Sequence, residues 1–123
     1  MAVDSVLRIK SEKFSERIVK CYQYLLKEKK EHVLSKQLLR SGTSIGANIN
    51  EGIYAQSRAD FVNKLSISLK EAQETSYWLT LLYKSGFLND KQFQSIHADN
   101  LELIKMLVAT VKTTKANNTA ASV

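Results

Sequence analysis

Proline is absent from the chain. The residue that most effectively interrupts a helix is therefore missing throughout. Glycine is nearly as scarce: there are four, of which Gly42, Gly46 and Gly52 lie in one stretch and Gly86 stands alone. Tight turns draw on both residues, so these shortages favour a few long helices over a β-rich fold. The single cysteine, Cys21, rules out an internal disulfide and fits a reducing compartment. Its apolar neighbours mark it as a packing residue rather than a reactive thiol. No apolar run is long enough to span a bilayer, and the N-terminal MAVDSVLRIK lacks the apolar core of a secretion signal. A cytoplasmic protein with no membrane partner is expected.

The elements of catalysis are sparse as well. The two histidines, His32 and His97, are far apart, and neither has a His, Cys or acid at metal-ligand spacing. No Glu-x-x-His pair and no glycine-rich phosphate loop occur. The expectation is a protein that is not an enzyme, with no cofactor, no metal and no small-molecule substrate.

What is present is positive charge and helical periodicity. The 123 residues carry a net charge of +6, and the pI is about 9.5. Residues 1–40 hold ten Lys/Arg against five Asp/Glu, so the excess sits mainly on the first helix and the turn after it. Lys13, Arg17, Lys20, Lys27, Lys29, Lys30 and Lys36 form a surface that could track a phosphate backbone. The same pattern also describes an ordinary solvated helix face. No array of exposed aromatics suggests single-strand stacking.

Apolar spacing places four helices, over about 11–30, 35–54, 58–85 and 90–112. Residues 1–10 read as a short lead-in. Ser11 is taken as the first N-cap, followed by a face of Phe14, Ile18, Cys21 and Leu25. Ser35 is taken as the second cap. The third helix starts at the capping-box string Ser57-Arg58-Ala59-Asp60 and keeps Phe61, Leu65, Ser68, Ala72, Thr75, Leu79 and Leu82 in register. Gly86 suits the position just past its end. Asn89 with Gln92 has capping-box spacing, and Phe93, Ile96, Asn100, Leu103 or Ile104, Leu107 and Val111 follow. Residues 113–123 are polar and small, and an unstructured tail is expected. The fold class is all-α: one domain over 1–112, an antiparallel up-down-up-down four-helix bundle. Tyr54, Tyr77, Trp78 and Leu81 exceed what one buried face needs, which suggests self-association.

The stretch QLLRSGTSIGANINEG, residues 37–52, concentrates Gly, Ser and Asn. Arg40, Ser44, Asn48 and Glu51 share one face beside the apolar stripe. They suit either ligation of phosphate or base edges, or a structural network with Arg40 held by Glu51 or Glu74. The structural reading is the one adopted. A helix-turn-helix over 35–52 is disfavoured, because the apolar spacing runs through Gly42 without a change of phase.

This stretch, followed by SRADFVNKLSISLKEAQETSYWL, closely resembles the 23S rRNA intervening-sequence protein family. The likeness extends more loosely to FSERIVKCYQYL, so that it covers about two thirds of the chain. Matching motif positions are Arg40, Ser41, Ser44, Ile45, Asn48, Ile49, Glu51, Gly52, Asp60, Phe61 and Glu74. Asn50 and Ile53 depart from a pattern in which Ala is common. The resemblance implies a small bacterial four-helix bundle that assembles into a homopentamer, with no established catalytic residue. The chain is also similar to the accessory protein of diversity-generating retroelements, a basic pentameric bundle that works with a reverse transcriptase and nucleic acid. The function expected is a noncatalytic oligomeric bundle that binds RNA or DNA. The alternative is a scaffold for an acidic protein partner.

Overall fold

Among the described residues four helices account for the regular structure: α1 (Ala2–Lys27), α2 (Leu34–Ile53), α3 (Arg58–Lys84) and α4 (Asp90–Ser122). The structure, a computed structural model, describes the backbone of residues 2–122 and the side chains of residues 5–117. Each helix packs on its neighbour in sequence, and α1 meets α4 to close the ring. The α2–α3 seam is the most extensive and the α1–α4 seam the slightest. This is an all-α four-helix bundle with short connections.

The core follows the apolar register. Leu7, Phe14, Ile18 and Leu25 from α1 meet Leu38, Ile45 and Ile49 from α2. Leu65, Ala72, Leu79 and Leu82 from α3 and Phe93, Ile96, Leu103 and Leu107 from α4 complete it. Each large side chain buried in this way contributes about 1.5–3 kcal/mol. On α4 the deep position is Leu103 rather than Ile104, and Thr110 is buried deeper than Val111.

Several boundaries differ from those expected. α1 begins at Ala2, not at a cap on Ser11. Leu7 extends the buried stripe by one turn, and nothing before Ser11 breaks the helix. Ser11 is itself buried, its hydroxyl donating to the Arg8 carbonyl at 2.9 Å. α1 stops at Lys27, short of residue 30, where the chain turns with Lys30 at φ 53°. α4 continues to Ser122, past the expected boundary at 112. No Gly or Pro halts it, and the Thr110 and Thr114 hydroxyls donate to the Met106 and Thr110 carbonyls at 2.8 Å. Val123 and the side chains of 118–122 lie outside the described residues.

The second cap also differs. Ser35 lies inside α2, fully buried, and its hydroxyl donates to the Glu31 carbonyl at 2.8 Å. The carboxylate of Glu31 does the capping. It accepts from the backbone N–H groups of Val33, Leu34 and Ser35 at 3.1, 2.9 and 2.6 Å. Three orphan donors of the helix start are thereby satisfied by a negative charge at the positive end of the dipole.

The other caps use the residues expected. The Ser57 hydroxyl accepts from Asp60 N–H at 3.1 Å. Asn89 and Gln92 exchange side-chain-to-backbone bonds at 2.8 and 2.9 Å, a complete capping box. At the α3–α4 turn Gly86 adopts φ 85°, and Phe87 N–H reaches the Leu82 carbonyl at 2.9 Å. Only glycine takes that conformation without strain.

Candidate nucleic-acid interface

Residues 37–52 lie within one unbroken helix, with no helix-turn-helix. The glycines explain the density of small residues. A Cβ on Gly42 would come within 2.8 Å of the Ile18 side chain on α1. One on Gly46 would meet Ser15 Oγ at 2.9 Å, and one on Gly52 would meet Leu65 of α3 at the same distance. The backbone of α2 therefore approaches both neighbours closely.

The polar face of α2 is engaged within the chain. Arg40 donates to Glu71 at 3.2 Å and to Glu74. Glu74 also accepts from the indole N–H of Trp78 at 3.0 Å. Ser44 donates to the Arg40 carbonyl at 2.6 Å, and the Asn48 amide donates to the Ser44 carbonyl at 2.8 Å. Glu51 does not reach Arg40; it pairs with Lys64 at 3.0 Å. Asp60 supplies the N–H that Ser57 caps, and Phe61 lies half-buried beside Gly52. Deeper in the same seam, Ser68 donates to the Ile45 carbonyl at 2.8 Å. Thr75 donates to the Glu71 carbonyl at 2.8 Å, and its oxygen lies 3.0 Å from Ser41 Oγ.

The basic residues divide differently. Arg17 is tied to α4: it donates to Asp99 at 2.6 Å and to the Ser95 hydroxyl at 2.9 Å. Lys13, Lys20, Lys27, Lys29, Lys30 and Lys36 are exposed and have no ion pair among the described residues. Lys13, Lys20 and Lys27 recur every seventh residue and so line one side of α1. Lys13 and Lys20 each border a hollow of about 380 Å³ in the α1–α4 seam. Arg17, Cys21, Tyr24, Leu88, Gln92 and Ile96 line the hollow beside Lys20.

The chemistry available in that groove is limited. Burial pushes the Cys21 thiol up to about 11, with Arg17 opposing weakly. Burial draws His97 below its ordinary value, and its ring stacks on Phe93 with centroids 4.7 Å apart. Among the described residues no three His, Cys, Asp or Glu side chains converge as metal ligands. Nor is any helix long and apolar enough to cross a membrane.

The profile of the 23S rRNA-intervening sequence protein family matches residues 4–109. The chain belongs to this family. A solved structure from Bacteroides thetaiotaomicron VPI-5482, a protein of unknown function from the S23 ribosomal protein family, has the same fold. It is 54% identical, with a TM-score of 0.88, and the match covers 89% of this chain and 98% of that one. No curated protein matches the chain. The family profile begins at residue 4, so it includes the first turns of α1, which the sequence spacing reads as a lead-in to the first helix.

Sequence reasoning missed two features. Glu31 carries no role in the sequence reading beyond its place in the acid count of residues 1–40, yet it turns inward. An acid three or four residues before an apolar helical run was the signal available. Lys84 and Lys91 were not counted with the basic surface, because they are remote in sequence from residues 13–36. The antiparallel path of the chain brings their turn to the same end of the bundle as the α1–α2 turn.

Proposed function

We propose that this protein is a noncatalytic, cytoplasmic, homo-oligomeric bundle that binds nucleic acid, RNA in the first instance, through its basic surface. The observation that carries this reading is the set of exposed lysines without acidic partners along α1 and the turn after it. Uncompensated cations release counterions when they meet a phosphate backbone, which favours binding at moderate salt. Glu31, one of the few acids nearby, binds the backbone N–H groups at the start of α2 and pairs with none of these lysines.

Self-association is supported by apolar side chains left in solvent on α1 and α4. Val6 and Ile9 are 47% and 45% exposed, and Leu101 and Val108 are 43% and 47% exposed. The resemblance to the retroelement accessory protein supports the same reading, an assembled basic bundle acting with nucleic acid, and suggests a pentamer.

Light scattering coupled to size exclusion, run with and without RNA, tests both parts. The expected result is one oligomeric species that takes up RNA at low salt and releases it at high salt. A monomer would remove the assembly, and an oligomer that ignores RNA and DNA at physiological salt would remove the binding. An acidic protein partner retained through nuclease treatment would replace nucleic acid as the ligand.

A further inference from the structure

The two turns at one end of the bundle join residues that are far apart in sequence. Residues 28–33 connect α1 to α2, and residues 85–89 connect α3 to α4. Their proximity is visible in the groove where Lys20 and Tyr24 of α1 meet Leu88 and Gln92. Lys27, Lys29, Lys30 and Lys36 come from the first turn and its flanks, and Lys84 and Lys91 from the second. All six are exposed, and none has an ion pair among the described residues.

The acids of this end are mostly engaged. Glu31 caps α2 through three backbone N–H groups. Asp90 accepts the Tyr83 hydroxyl at 2.8 Å. Glu28 alone among them stands without a side-chain partner, and the six lysines outnumber Glu28, Glu31 and Asp90, so the end presents a net positive field.

A second, independent observation singles out Lys30. It is the non-glycine residue with positive φ among the described residues, at 53°, in a region where glycine is the unstrained choice. The neighbouring turn at the same end solves the same problem with Gly86. The chain thus keeps a lysine where glycine would fold more easily, and residues held in such conformations concentrate at functional positions.

We propose that this bundle end is the contact surface for the phosphate backbone of double-helical nucleic acid. The proposal rests on the nucleic-acid reading above and moves its centre from the side of α1 to the two turns. A double helix is the occupant because the end offers cations but no stacking platform. Tyr83 is covered by Phe93, with centroids 4.5 Å apart, and Tyr22, Tyr24 and Phe87 are half-buried. The most exposed aromatic, Tyr54, follows α2 at the opposite end. Single-strand binders rely on such exposed rings, whereas duplexes are held by shape and backbone charge.

The test is fluorescence anisotropy with labelled RNA and DNA duplexes of about 16 base pairs, and with a single strand of equal charge, over a series of salt concentrations. The variants are Lys29→Gln/Lys30→Gln/Lys91→Gln, Lys30→Gly alone, and Lys105→Gln/Lys112→Gln far along α4 as a control. Circular dichroism and thermal melts establish that each is folded. The triple variant is expected to bind duplex at least tenfold more weakly, with a salt slope lower by about three. Lys30→Gly should melt no lower than wild type yet lose about one unit of slope. The control should match wild type. If wild type binds duplex and the triple variant keeps its slope, the location is wrong while the nucleic-acid reading stands. If wild type binds neither duplex nor single strand, the reading itself falls. A tenfold preference for the single strand overturns the duplex assignment, and similar affinity for both duplexes supports recognition of phosphate alone.

Discussion

Glu31 shows how one side chain can organise a helix start. Burial pushes its carboxyl up, but hydrogen bonds from the N–H groups of Leu34, Ser35 and Val33 outweigh it. The group therefore sits below its ordinary value. With the folded value below the unfolded one, the stabilisation is complete above the unfolded pKa of about 4.3. It is lost as pH falls through the folded value. Glu31→Gln should cost about 1–2 kcal/mol at neutral pH. Thermal melts over an acid series should show the gap to wild type closing as the pH falls through the lowered value of the Glu31 carboxyl; a gap independent of pH would contradict the ionic cap. Cys21 is the opposite case, an ionisable group held neutral by burial. Its thiol, pushed up to about 11, should react with a disulfide reagent at pH 8 far more slowly in the folded protein than in denaturant. Equal rates would show that the α1–α4 groove leaves it open.

At the scale of elements, α2 forms the two most extensive seams of the bundle, with α3 and with α1, and its glycines set the distance. At Gly42 an added methyl meets three atoms of Ile18, a side chain with no exposed surface. Overpacking of this kind costs about 1–3 kcal/mol, against a helix-propensity gain of about 1 kcal/mol. At Gly46 the nearest atom is Ser15 Oγ on a half-buried side chain, whose rotation gives up only its 3.0 Å bond to the Ser11 carbonyl. Denaturant unfolding should rank Gly42→Ala below wild type and Gly46→Ala near or above it. A Gly42→Ala variant as stable as wild type would mean that the α1–α2 seam is looser than its geometry indicates. The register of α3 was fully legible, because Leu65, Ser68, Ala72, Thr75, Leu79 and Leu82 alternate by three and four without interruption. The start of α1 was not. Ser11 has the chemistry of a cap and sits before an apolar stripe, but Leu7 continues that stripe one turn earlier. Propensity cannot distinguish a serine that starts a helix from one that donates back to its own turn.

Across the whole molecule, the charged groups fall into two populations with different salt responses. Arg40 with Glu71 and Glu74, Arg17 with Asp99, Lys10 with Glu102 and Lys64 with Glu51 bind helix to helix at partly exposed sites. Such pairs contribute roughly 0–1 kcal/mol each and are screened by salt. The lysines of the turns contribute nothing of this kind to the fold. Raising salt from low to near-molar levels should therefore shift the melting temperature by only a few degrees, while nucleic-acid affinity falls by orders of magnitude. Melting and binding curves measured in the same salt series check this, and a parallel fall of both would mean that the turn lysines also hold the bundle together.

The sequence by itself determined the helical class, the four segments and most of the buried register. These depend on local periodicity and on the absence of proline, and both can be read along the chain. It also singled out residues 37–52, because three glycines in one helix require close neighbours. Only the tertiary structure decided what those neighbours are: Ile18 and Ser15 on one side, Leu65 on the other. It likewise decided that Arg40 meets Glu71 and Glu74 while Glu51 meets Lys64. Ion pairs between helices depend on the rotation of each helix about its axis, which a single periodic pattern leaves open by a residue or so. The gathering of Lys29, Lys30, Lys84 and Lys91 at one end is the clearest case. The two pairs lie more than fifty positions apart, and only the antiparallel packing of α1 through α4 places them together.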